Sequence, residues 1–295
     1  MLTTHTIRGH HDGPHFLISG GVHGDEFESM VTIRRLIKQV QPEELSGTLT
    51  LIPCVNEAAF WDGERAANDD KLDLARTCPG DPNGSVTERT ANAISKLIES
   101  ADYYIDLHSG GKIMRVAPMV GYGLVPDADV LDTQRAMARA MQIPIIWGTQ
   151  SKLHGRTLSV ARDAKVPALY TEWLGGGECC PKGVETQAAG CLNVMAYAGM
   201  LEREIPPFEP DYVVEDDRPN AGYMQLNYQS PVDGFFESHV EMRQRVKVGD
   251  TIGTVSDFLG ENVVDVPSIH DGIVLTIRVY NRVFQGDSLA VIIEP

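Results

Sequence analysis

From residue 14 to about residue 200, short apolar runs alternate with longer amphipathic stretches, and this alternation restricts the fold more than any other feature of the chain. Short apolar runs suit buried strands, whereas apolar positions recurring every three or four residues suit helices packed on a sheet. His15 to Ser19 reads as a strand. Residues 25 to 40 read as a helix with Phe27, Met30, Ile33, Leu36 and Ile37 on one face, and Leu49 to Val55 as a second strand. Together they make a βαβ unit. The same pattern predicts helix Thr87 to Ser100, strand Tyr103 to Leu107, helix Asp129 to Met141 and strand Ile143 to Trp147. Helix Leu158 to Lys165, strand Ala168 to Glu172 and helix Gln187 to Leu201 follow.

After Ile205-Pro206-Pro207 the pattern changes to short β-type runs punctuated by Gly, Asp and Asn, which sets a domain boundary. Residues 1–205 are expected to form an α/β catalytic domain and residues 206–295 a smaller β-rich barrel or sandwich. The latter holds an imperfect repeat, in which Asp233-Gly234-Phe235 leads to Arg245-Val246 and Asp271-Gly272-Ile273 leads to Arg282-Val283. Neither half can cover its own apolar face, so the two are expected to fold together. The repeat resembles a biotinyl/lipoyl-like fold, but lacks the lysine that such carriers modify at the tip, so a structural appendage is the expectation.

Charge and cysteine content narrow the partners. The chain carries a formal charge of −16, with no block of consecutive Lys or Arg, and would repel a phosphate backbone. Neither nucleic acid nor an anionic membrane is expected as a partner; self-association into a homo-oligomer stays open. The N-terminus has no basic stretch followed by a long apolar run, and no run of about 18 apolar residues occurs elsewhere, so we read neither a signal peptide nor a membrane span. Five cysteines, an odd number without C-x-x-C spacing, suggest neither a disulfide framework nor a four-thiolate site. Cytoplasm is the expected compartment.

The segment Gly20-Gly21-Val22-His23-Gly24-Asp25-Glu26 falls where a predicted strand ends and a helix begins, the position at which sites form in open α/β sheets. His23 and Glu26, three apart, can aim an imidazole nitrogen and a carboxylate at one ion. His108, in Asp106-Leu107-His108-Ser109-Gly110, follows another β-type run and completes a His₂Glu set. Three such ligands leave a position for water, as catalytic zinc sites do, and the absence of sulfur suits zinc first. Asp106 is placed to orient one ligand from behind. Glu172 ends the run Pro167-Ala168-Leu169-Tyr170-Thr171 beside Trp173, and partial burial there would raise its pKa toward that of a general acid/base. Arg65 and Arg76 lie in the chain between Glu26 and His108, where one guanidinium can share the charge of a tetrahedral intermediate and another can hold a carboxylate.

Taken in order, G-G-x-H-G-D-E, N…R, D-L-x-R, D-L-H-S and E-x-L-G resemble the succinylglutamate desuccinylase/aspartoacylase family of the zinc carboxypeptidase-like superfamily, over roughly residues 14 to 200. The resemblance implies an α/β fold with a mixed sheet flanked by helices and an appended β-rich domain. It implies one zinc ion per chain bound by His23, Glu26 and His108, with Glu172 as general acid/base, Arg65 polarising the scissile carbonyl and Arg76 gripping a substrate carboxylate. Arg162 falls near a further carboxylate-binding arginine of aspartoacylases. One departure stands out: Ala75 replaces the usual asparagine of D-L-N-R, so that carboxylate binding is expected to be weakened, differently completed or tuned to another substrate.

The expected activity is zinc-dependent deacylation of a small N-acyl amino acid or related amine, by hydrolysis of its amide C–N bond. A carboxypeptidase acting on short peptides and an esterase would use the same groups. A non-catalytic metal-dependent binding protein is the reading from a different class, and would bind metal without cleaving amide or ester.

Overall fold

In the computed structural model, which describes residues 2–219, 221–224 and 228–295, the alternation resolves into a mixed sheet with helices on both faces. The chain runs β1 (His5–Arg8), β2 (His11–Gly20), α1 (Phe27–Gln39), β3 (Ser46–Ile52), α2 (Glu57–Asp62), α3 (Val86–Glu99), β4 (Tyr103–Leu107), β5 (Met114–Leu124), α4 (Ala128–Ala140), β6 (Ile145–Gln150), α5 (Thr157–Asp163), β7 (Ala168–Gly175) and α6 (Pro181–Tyr197). Strands β3, β2, β4 and β7 are parallel neighbours. β5 then reverses direction against β7 and carries β6 parallel on its other edge. Ile33 and Leu36 of α1, Met137 of α4 and Val194 of α6 cover one face. Ala91, Ile94 and Ile98 of α3 and Val160 of α5 cover the other. Burial on both faces explains why the strands read as continuous apolar runs rather than alternating ones.

Strand Tyr103–Leu107 lies where the pattern places it, while β5 and α2 are absent from the sequence reading. Met114–Leu124 contains Pro118, Gly121 and Gly123, residues that ordinarily interrupt strands. Its register against β7 shifts between Val116 and Met119, so Pro118 falls in an irregularity where no regular ladder bond is demanded. At Gly121 an added Cβ would stand 2.2 Å from the ring of Tyr170, so the missing side chain makes room for that ring.

The chain continues through β8 (Tyr212–Asp216), β9 (Gly234–Ser238), β10 (Arg245–Val246), β11 (Thr251–Ser256), β12 (Val264–Pro267), β13 (Gly272–Arg278), β14 (Arg282–Val283) and β15 (Ala290–Ile293). The repeat halves interlock: β10 of the first pairs with β13 of the second, and β14 of the second with β9 of the first. Their shared core includes Phe236, Ile252 and Val255 on one side and Val274, Ile277 and Ala290 on the other. The main sheet does not stop at residue 206. β8 lies parallel to β6 and β13 antiparallel to β5, so Ile273, Leu275 and Val291 share a core with Val116, Met119 and Ile145.

This junction makes the first part of the chain dependent on the second. A fragment comprising residues 1–205 leaves Val116, Met119 and Ile145 uncovered, and leaves unpaired both the 114–116 edge of β5 that β13 joins and the edge of β6 that β8 joins; it is expected to aggregate or to unfold without a cooperative transition in urea. A soluble fragment with a sharp transition would show that the α/β part is autonomous.

Candidate active site

Three strands bring the site together at one end of the sheet. Gly20 of β2 is the register partner of Leu107 of β4, and Leu107 that of Thr171 of β7. His108 and Glu172 come next in their chains, and His23 and Glu26 lie in the turn that leaves β2. Gly21 adopts φ +64, which a side chain would oppose. At Gly24 an added Cβ would stand 2.1 Å from the backbone carbon of Ala59, so the turn rests directly on the backbone of α2. These two glycines fold the turn tightly enough for His23 and Glu26 to face inward before α1 begins.

Glu26 lies between two imidazoles. Its Oε1 is 2.6 Å from His23 Nδ1 and its Oε2 is 2.8 Å from His108 Nδ1. The far nitrogens are held from outside, His23 Nε2 at 3.2 Å from Asp73 Oδ1 and His108 Nε2 at 3.1 Å from Asp106 Oδ2. Fully buried Asp106 accepts from Ser19 Oγ at 2.9 Å and from Thr157 Oγ1 at 2.5 Å. Asp73 is fixed by the short turn Leu74–Arg76, accepting from Ala75 N at 2.9 Å. It also accepts from Arg65 through Nε at 3.2 Å and Nη2 at 3.1 Å. Arg65 Nη1 lies 3.7 Å from Glu26 Oε1, which sets this guanidinium beside the triad.

His23, Glu26 and His108 are all buried, and each offers a ligand atom within 4.8 Å of the others. Two imidazoles and a carboxylate without sulfur, each ring backed by a second carboxylate, fit a divalent transition ion with room for further ligands. The charge state also fits. Burial alone would raise Glu26, but the adjacent His23 and His108 hold it well below the usual carboxylate range.

Glu172 behaves in the opposite way. It is pushed up to about 8, first by burial and then by the negative charge of Glu26, with His108 and Arg65 pulling the other way. Its Oε2 is buried and has no hydrogen-bond partner among the described residues. A carboxyl with a proton equilibrium near neutrality can both take and return a proton.

A cavity of about 180 Å³ opens from these groups and is walled by residues of both parts of the chain. The three other arginines of interest line it in different states. Arg162 donates to the carbonyls of Ser151 and Leu153 and, at 2.7 Å, to Asp163, so its guanidinium ties down the loop before α5. Arg76 and Arg156 both lie over the Tyr223 ring, with guanidinium carbons 5.4 Å and 5.7 Å from its centroid. Arg156 donates from Nη2 to the Gly222 carbonyl at 3.4 Å, while its buried Nε has no hydrogen-bond partner among the described residues. Arg156 escapes the sequence reading because an arginine in a loop has no spacing that distinguishes it from a solvated one. Asp73 stands in the D-L-x-R motif, but its link to His23 becomes visible only in three dimensions. Ala75 is buried against the cavity, leaving a methyl group where the family pattern has an amide.

Comparison with known proteins shows what this chain is similar to. The sequence pattern of the succinylglutamate desuccinylase/aspartoacylase catalytic domain matches residues 12–198, and the chain belongs to that family. Among its relatives, the N-alpha-acetyl-L-2,4-diaminobutyric acid deacetylase of Halomonas elongata is 31% identical over 290 residues, covering 96% of this chain and 83% of that protein. The crystal structure of a succinylglutamate desuccinylase from Silicibacter sp. superposes with a TM-score of 0.89 at 26% identity, over 99% of this chain and 88% of that one. The product-bound ectoine utilization protein EutE (DoeB) from Ruegeria pomeroyi also gives 0.89, at 27% identity over the same shares.

The raised pKa of Glu172 has a consequence for stability. Folded protein keeps a proton that the unfolded chain releases above 4.5, so the Glu172 contribution is intact below 4.5 and is lost as pH rises toward 8. In chelator-stripped protein, Glu172→Gln is therefore expected to gain stability relative to wild type between about pH 5 and about pH 8. Urea denaturation at both pH values checks this, and a constant difference would contradict the burial of a protonated Glu172.

Proposed function

We propose that the protein is a zinc-dependent deacylase that hydrolyses the amide bond of a small N-acyl amino acid, releasing a carboxylate and a free amine. The observation that carries this reading is the pairing of a buried His23, Glu26 and His108 set with an unpartnered, proton-holding Glu172 in one cavity. The acyl group we propose is acetyl and the amine half a diamino acid, by likeness to the deacetylase of Halomonas elongata.

His23, Glu26 and His108 would hold one zinc ion per chain. When bound, zinc supplies a Lewis acid that polarises a carbonyl and lowers the pKa of water toward ~7. Glu172 takes a proton from water and returns it to the leaving nitrogen, which its near-neutral pKa permits in both directions. Arg65, held by Asp73 beside Glu26, faces the oxygen on which negative charge grows. Arg76 and Arg156, both packed on the Tyr223 ring, receive the substrate carboxylate, and the methyl of Ala75 leaves that charge to the two guanidiniums. Arg162 keeps the 151–154 loop in place at the cavity wall.

Substrate size follows from the walls. Met224, Thr276 and Val291 from the C-terminal part line the cavity, whose volume of about 180 Å³ suits a small molecule better than an extended peptide. Among the described residues no helix is long and apolar enough to cross a membrane. All five cysteines are free, which fits the reducing cytoplasm we propose as its compartment.

Free-amine release from N-acetyl, N-succinyl and dipeptide substrates, with and without chelator, tests the reading. Chelator-sensitive cleavage of small N-acyl compounds is expected, with Glu172→Gln retaining zinc but losing at least ~10² in kcat. Arg156→Met is expected to keep zinc and raise KM about tenfold for substrates with a free carboxylate. Unchanged turnover in Glu172→Gln removes that residue from the reaction, and preferential cleavage of dipeptides replaces the deacylase with a peptidase.

A further inference from the structure

Thr276 is a buried polar group of the cavity, on the C-terminal part of the chain, that the proposed chemistry leaves unused. It is 2% exposed, and its Oγ1 has no hydrogen-bond partner among the described residues. Its direction is set by an irregularity in β13. Ile273 and Val274 face Ile293 and Ile292 of β15, then the register shifts, and Thr276 faces Val291. On the other edge of β13 it is the partner of Val116 in β5. Cross-strand partners share a face of the sheet, and Val116, Thr276 and Val291 all line the cavity that holds Glu172 and Arg156.

In a strand without this bulge, Thr276, two residues after Val274, would share its face and enter the apolar core with Phe236 and Ile252. The bulge turns it to the cavity instead, as bulges beside active sites do. Valine has nearly the same shape and would fit between Val116 and Val291 without burying an unpaired hydroxyl. A group that costs stability in the free protein is explained by a partner in the bound one.

We propose that Thr276 is a specificity residue whose hydroxyl accepts a hydrogen bond from an amino group on the side chain of the substrate's amine half. The inference rests on the deacylase reading. The carboxylates lining the cavity are Glu26, Asp106 and Glu172, and all three belong to the metal-binding and proton-transfer machinery. Arg76 and Arg156 take the anionic end. A side-chain ammonium is left to the neutral acceptors of the wall, of which the Thr276 hydroxyl is one without a partner among the described residues.

The test uses the zinc-loaded full chain with two probes, Nα-acetyl-2,4-diaminobutyrate and its isostere Nα-acetylnorvaline, in which a methyl replaces the ammonium. Wild type is expected to prefer the first. Thr276→Val is expected to lower kcat/KM for the amine-bearing probe about tenfold, mainly through KM, and to leave the norvaline probe within about twofold. Thr276→Ala should lose the same discrimination, and Thr276→Ser should keep it. An unchanged ratio in both the Val and Ala variants, or an equal loss on the two probes, overturns the assignment while leaving the deacylase reading intact. If wild type cleaves neither probe nor any other N-acyl amino acid, the deacylase reading fails and this assignment fails with it.

Discussion

Glu26 sits with one carboxylate oxygen against the imidazole of His23 and the other against that of His108, out of contact with solvent, and most of the surrounding structure serves that contact. A buried carboxylate is tolerated only when opposite charge or hydrogen bonds offset its lost hydration. Here the two rings do so, and Ser109 N donates to Oε2 at 3.3 Å. The rings in turn need carboxylates behind them, which brings in Asp73 and Asp106, and those need Arg65, Ser19 and Thr157. The network extends from one turn after β2 to four separate segments, so its geometry depends on the register of the parallel strands.

The two glutamates of the site share one cavity and differ in charge state. Both are buried, so both lose hydration. Glu26 recovers more than it loses from two adjacent imidazoles and stays ionised. Glu172 stands one step further from those rings and feels the charge of Glu26, so its proton is retained to about 8. Environments that push two carboxyls apart in this way divide ligand from acid/base.

How much of this was legible in the sequence depends on whether a signal is local. The strand Tyr103–Leu107 and the positions of His23, His108 and Glu172 follow from apolar runs that end in polar residues, because a parallel sheet buried on both faces leaves that trace. Strand β5 left none, since Pro118 and Gly121 serve a register shift and a neighbouring ring that exist only in the folded sheet. Arg156 and Arg162 lie six residues apart in one stretch of chain, and nothing local tells which of them spends its guanidinium on loop carbonyls. The link of Asp73 to His23 spans 50 residues and was equally hidden. Likewise, the interlocking of the repeat halves was expected, but the continuation of the main sheet into β13 was not.

The central claim, that His23, Glu26 and His108 together hold one zinc ion, is tested most directly by metal analysis combined with zinc-edge X-ray absorption of the purified full chain. The predicted result is one zinc per chain, with two imidazole nitrogens and carboxylate oxygen at about 2.0–2.2 Å, and loss of that signature in His108→Ala. A chain that binds no zinc, or whose zinc carries sulfur at about 2.3 Å, would contradict it.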